Sequence, residues 1–139
     1  MPSMPMVSRK GVLAIAAVID VAINAQGRPV SAKALAVRHK LPPRHLEPVL
    51  QALVREGILR GVRGPHGGYE LAREHRLVSA DDILRAVNAS EDADQPQLPH
   101  SALANEVVKP ARVEAERSFA SALAGISVEA MAKRAGALK

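Results

Sequence analysis

LPPRHLEPVLQALVREGILRGVRGPHGGYELAR, residues 41–73, changes periodicity at a single glycine. Before Gly57, the apolar residues Leu46, Val49, Leu50 and Leu53 recur every three or four positions, as one face of a helix does. After it, Ile58, Val62, Tyr69 and Leu71 supply the apolar positions of two short strands, 58–63 and 68–73. The Gly-Pro-His-Gly-Gly run between them reads as a hairpin tip. Gly57 stands where a helix ends in a left-handed residue. Pro48 limits where that helix begins, because proline deep inside a helix costs about 3 kcal/mol and near its start costs little. The helix is therefore expected to start no earlier than about Pro43 to His45.

Towards the N-terminus, Lys40-Leu41-Pro42 reads as a turn, and Ser31 caps a short helix to about Arg38 with Ala34, Leu35 and Val37 facing in. A first helix spans 8–25, capped by Ser8 and stopped by Gly27 and Pro29. Its expected inner face is Val12, Ile15, Ala16, Ile19, Ala22 and Ile23. Beyond the hairpin, Ser79 and Asp82 form a capping-box pattern opening a helix over 80–89 that packs through Ile83, Leu84 and Val87. Residues 90–100, SEDADQPQLPH, are acidic, proline-bearing and without apolar period, and read as a loop or linker. A long helix follows from about Ser101 to Ala124, with Ala104, Val108, Ala111, Ala115, Phe119 and Ala122 on one stripe and a kink or break expected at Pro110. Ser127 caps a last short helix to about Ala135.

Helix, helix, turn, helix and a two-stranded hairpin, in that order, make a winged helix-turn-helix, so the fold class is mainly α with a β-hairpin wing. The organisation is a head over 1–89, a loop over 90–100, and a C-terminal part over 101–139. Charge follows the same division. Residues 1–76 carry 12 Lys/Arg and 5 Asp/Glu, a net of +7, and residues 77–139 carry 7 and 9, a net of −2. A basic half suits a polyanion, though an ordinary basic surface explains the charge equally well. In such a head the start of the third helix enters a major groove about 12 Å wide. Pro43, Arg44 and His45 lie at that end. Arg44 suits a guanine edge or a phosphate, and Glu47 a cytosine amino group. Arg63 at the base of the wing suits a narrow minor groove, Arg60 a phosphate, and Gly64 and His66 at the tip the sugar-phosphate wall. Tyr69 is expected to fix the wing to the core. Each residue also has a bland reading: solvated strand arginines, an intrahelical Glu47 pair with Arg44 or Arg55, glycines that serve only the turn. The ordered set is harder to dismiss than any member.

Residues 41–73 also closely resemble the IscR-like (Rrf-two) family of bacterial transcriptional regulators. The resemblance rests on the Leu46-Glu47 pair, the Gly57-Ile58-Leu59 exit and the RGPHGGYELAR wing, 63–73. It is specific over 31–89 and carries on as layout alone to the end. It implies a homodimeric regulator, read here as a repressor, on a roughly palindromic operator in double-stranded DNA. It carries DNA contact over to Pro43, Arg44, His45, Glu47 and Arg63. It also implies that the long helix, 101–124, is a dimerisation helix, with Val108, Ala111, Ala115, Phe119 and Ala122 as candidate contacts; the bland alternative is burial against the chain's own head. Pro48 departs from the long polar or aliphatic residue more common in the family. The best-known members hold an iron–sulfur cluster on cysteines in the loop corresponding to 90–105.

This chain has no cysteine, so no thiolate-bound cluster, thiol switch, disulfide or cysteine nucleophile is expected. No cofactor is expected, with an unidentified small-molecule effector left open, for instance in a cavity between the long helix and the head. His100 with Glu91, Asp92, Asp94 or Glu106 lacks the histidine spacing of a metal site. Gly-x-Ser-x-Gly, a phosphate-binding loop and His-Glu-x-x-His are absent from the sequence, so an enzyme is not expected. No run is apolar enough to cross a bilayer and MPSMPMVSRK lacks a secretory apolar stretch, so the expectation is cytoplasmic. The competing function is a winged-helix protein-interaction module that binds no DNA.

Overall fold

In the computed structural model, residues 7–25, 27–89 and 101–136 are described. Six α-helices and one hairpin follow in the order α1 (Arg9–Asn24), α2 (Ala32–Arg38), α3 (Pro43–Arg55), β1 (Leu59–Val62), β2 (Gly68–Leu71), α4 (Ala80–Asn88), α5 (Lys109–Ala124) and α6 (Val128–Gly136). The fold is mainly α with a two-stranded antiparallel wing, as the sequence predicts.

Local chemistry sets the boundaries. Ser8, Ser31 and Ser127 accept from Gly11, Ala34 and Ala130 amides at 3.0–3.1 Å, each three residues on. Ser79 and Asp82 complete a reciprocal capping box. Pro42 precedes a proline and is held extended, at φ −62° and ψ 142°, so α3 starts at Pro43. At the other end of α3, Gly57 has φ +77°, its N–H reaches the Val54 carbonyl, and the Ile58 N–H reaches back to Leu53 at 2.9 Å. This is a Schellman close that satisfies the last carbonyls. The turn from α2 to α3 repeats it with Leu41 N–H on Ala36 and Lys40 N–H on Val37, but here the left-handed residue, at φ +54°, is Lys40.

The core lies between α1, α3 and α4. Val18, Val21, Leu35, Leu46, Leu50, Leu53, Ile58, Ile83 and Val87 are buried in it. Two expectations need correcting. The inner face of α1 is Gly11, Ala14, Ala17, Val18 and Val21, not the stripe from Val12 to Ile23, and Val12 is exposed. Residues 12–19 are apolar all round, so spacing alone does not choose a face. In α2 it is Leu35 and Ala36 that are buried, whereas Val37 is exposed.

The C-terminal part returns to the head. The Ala80 N–H donates to the Ile126 carbonyl and the Val128 N–H to the Val78 carbonyl, at 2.8 and 2.7 Å. Val128 is fully buried within the head's core, and α6 packs on α1. The long helix runs on past Pro110 without ending there. Residues Ala104–Val108 form a π turn instead, and the Lys109 N–H donates five residues back to Ala104. A wider turn is one way to absorb a proline, which has no N–H to continue the ladder. The acidic stretch 90–100, with Glu91, Asp92, Asp94 and His100, lies outside the described residues.

Candidate nucleic-acid interface

The third helix divides cleanly. Leu46, Val49, Leu50 and Leu53 hold it against the core, and Pro43, Arg44, His45, Glu47 and Pro48 are exposed on the opposite side. The first turn contains no acid that would neutralise the positive end of the helix. Among the described residues, neither Arg44 nor Glu47 makes an ion pair, so the intrahelical pairing of Glu47 with Arg44 or Arg55 is not observed. Pro48 sits inside the helix without ending it. It has no N–H to give the Arg44 carbonyl, which therefore keeps an acceptor outside the helical ladder.

The wing is built by close approach. Leu59, Arg60, Gly61 and Val62 pair with Leu71, Glu70, Tyr69 and Gly68. Tyr69 exchanges two 2.8 Å backbone hydrogen bonds with Val30 just before α2, and its ring packs on the core. This gives the hairpin a one-residue third strand and anchors it beside α2. Gly68 makes the crossing possible, because a Cβ there would overlap the Val30 carbonyl. The tip turns over Gly64-Pro65-His66-Gly67, closed by the Gly67 N–H on the Gly64 carbonyl at 3.0 Å. Pro65 occupies the second turn position, which its fixed φ suits.

Arg63, Gly64 and His66 are all exposed, and Arg63 has no ion pair among the described residues. Arg60 differs. Its guanidinium clasps Glu70 across the hairpin at 2.6 and 2.9 Å. A phosphate contact by Arg60 would have to compete with that carboxylate, so Arg60 joins the set only as a paired charge. Arg38, Arg76, Arg85 and Arg112 are likewise held by acids. Arg44 and Arg63 are exposed and without one among the described residues, as are Arg9, Arg28, Arg55, Arg117 and Arg134 elsewhere.

A polar cluster missed at the sequence level sits behind this surface. Asp20 on α1 is only 7 % exposed and receives Arg38 through Nε and Nη2 at 2.6–3.2 Å, Asn24 at 3.0 Å and His39 at 2.9 Å. Burial alone would raise its carboxyl, but hydrogen bonds from Arg38 and Asn24, the Arg38 charge and His39 together hold it below the ordinary range. Asp20 in turn raises the Arg38 guanidinium. The cluster ties α1 to the end of α2, immediately before the Lys40 turn that aims α3. The local signal was an aspartate and an asparagine four residues apart in an apolar helix; the charged partners Arg38 and His39 are 18 and 19 residues away.

The candidate contacts on the long helix are not buried against the head. Val108, Ala111, Ala115 and Ala122 are exposed and Phe119 is half-buried. Exposed Leu103, Val107 and Val113 lie on the same length of chain.

The sequence model of the Rrf2 family, described as an iron-dependent transcriptional regulator, matches residues 7–134. The HTH-type transcriptional regulator IscR of Escherichia coli is 33 % identical over 88 residues, 63 % of this chain and 54 % of that protein. The chain thus spans a little over half the length of such curated relatives. The structure of IscR from T. potens superposes with a TM-score of 0.73 at 32 % identity, covering 93 % of this chain and 87 % of that one. CymR, the global cysteine regulator of B. subtilis, shares the fold at a TM-score of 0.72 and 24 % identity, over 94 % and 98 % of the two chains. The sequence holds no thiolate, and the described residues hold no group of three His, Asp or Glu side chains placed to share a metal ion. No described helix is long and apolar enough to cross a membrane. With nearly its whole length matched and a near-complete structural likeness, the chain belongs to the Rrf2 family of transcriptional regulators.

Proposed function

We propose that this protein is a sequence-specific regulator, a repressor, that acts in the cytoplasm as a homodimer on a roughly palindromic site in double-stranded DNA. The reading rests on one observation above all. The start of α3 and the wing each present an exposed arginine, Arg44 and Arg63, without an acidic partner among the described residues, and the first turn of α3 contains no acid. Arg44, with Pro43, His45 and Glu47, reads base edges in the major groove, and Arg63, with Gly64 and His66, reaches the minor groove. Arg60 supports the wing through Glu70 and approaches phosphate only secondarily. The α5 stripe of Val108, Ala111, Ala115, Phe119 and Ala122 is the proposed dimer contact. The signal sensed does not pass through a cysteine-bound cluster; a small-molecule effector is the proposed alternative.

Selection of bound duplexes from a random pool, followed by a salt titration, tests this. Binding should weaken steeply as salt rises. Arg63→Ala should cost about 1–3 kcal/mol of operator affinity, and Arg44→Ala should cost as much and relax base preference at one position in each half-site. Salt-independent binding, or two variants indistinguishable from the parent, would leave the protein-interaction reading in its place.

A further inference from the structure

A cleft of about 570 Å³ opens between the first turns of α1 and the first half of α3. Arg9 and Lys10 of α1 form one side, Arg44 and His45 of α3 the other, and Leu13 and Pro48 lie among the remaining lining residues. No acidic side chain lines it. Arg9 is exposed, is the first residue of its helix and makes no ion pair among the described residues. The first turn of α1, like those of α2, α3 and α5, contains no acid. Arg9 and Arg44 therefore line one cleft from two helices, neither with an acidic partner among the described residues, and one of its walls is the helix proposed to read DNA.

Resting on that reading, we infer that the start of α1, through Arg9, is a third DNA contact, which grips the phosphate backbone beside α3 and sets its register in the groove. A contact of this kind is made to charge and carries no base information. It differs in kind from Arg44. Loss of Arg9 weakens all sequences alike, and loss of Arg44 changes which sequence is preferred. The cleft's apolar residues lend themselves also to an amphipathic organic anion, and the experiment separates the two.

The full-length protein, Arg9→Ala, Arg9→Lys and Arg112→Ala are titrated with a selected duplex and with a scrambled one, between about 50 and 200 mM salt. Arg112, on α5, removes the same charge away from the cleft. Arg9→Ala should lower the slope of log affinity against log salt by about one on both duplexes. Arg9→Lys should restore it, and Arg112→Ala should leave it at the parent value. An Arg9→Ala slope equal to the parent's overturns the inference while leaving the DNA reading intact. So does an unchanged slope accompanied by competition from decanoate, which would assign the cleft to an organic anion. A parent protein whose binding shows no salt dependence overturns the DNA reading and this inference together.

Discussion

Lys40 is the one described residue other than glycine with a positive φ. A left-handed conformation costs an L-residue roughly 1–2 kcal/mol, and Lys40 adopts it so that α2 can close and α3 begin three residues later. Lys40→Gly is therefore expected to raise stability by about 1 kcal/mol in urea denaturation. Asp20 works in the opposite sense. Its carboxyl is held below the ordinary range, so its contribution is complete above about pH 5 and drains away as pH falls through about 4 and below. Asp20→Asn should cost about 2 kcal/mol near neutrality and flatten the acid limb of a melting-temperature profile; an unchanged acid limb would remove Asp20 from the account. At this scale the serine caps could be read directly, because each partner lies three residues away. The Asp20 cluster could not, because α1 and α2 must already be packed before Arg38 and His39 reach it.

Among elements, α3 and the wing were legible and α1 was not, for the same reason. In α3 polar residues alternate with leucine and valine strongly enough to mark one face, whereas in α1 the side chains from Val12 to Ile19 are all apolar. Packing against α4 and α6 chose the face there. Proline provides a second contrast. Pro48 sets an expected helix start near Pro43 to His45, and α3 begins at Pro43; Pro110 predicts a kink or break, and the long helix inserts a π turn just before it. Pro48→Ala restores a backbone donor to the Arg44 carbonyl and should stabilise α3 by about 1–3 kcal/mol, visible as a higher denaturation midpoint. A lower midpoint would mean that the ring's contacts in the cleft outweigh the missing hydrogen bond.

Across the whole molecule, the C-terminal part is tied into the head, since Val128 is a core residue of the head. Val128→Ala should destabilise the chain by about 2 kcal/mol and lower DNA affinity only through the folded fraction. Ending the chain at Ala124 should do more, stripping α6 from α1 and leaving Val78 and Ala80 without their backbone partners. Periodicity could not reveal this closure, because a two-turn helix at the end of a chain reads the same whether it packs nearby or far back. Domains generally fold as units while the ribosome is still extending the chain. Here the DNA-facing unit must wait for residue 128 to emerge, by which time the whole of α5 has already been made. A nascent chain thus owns the whole of α5 before the core of its head is complete.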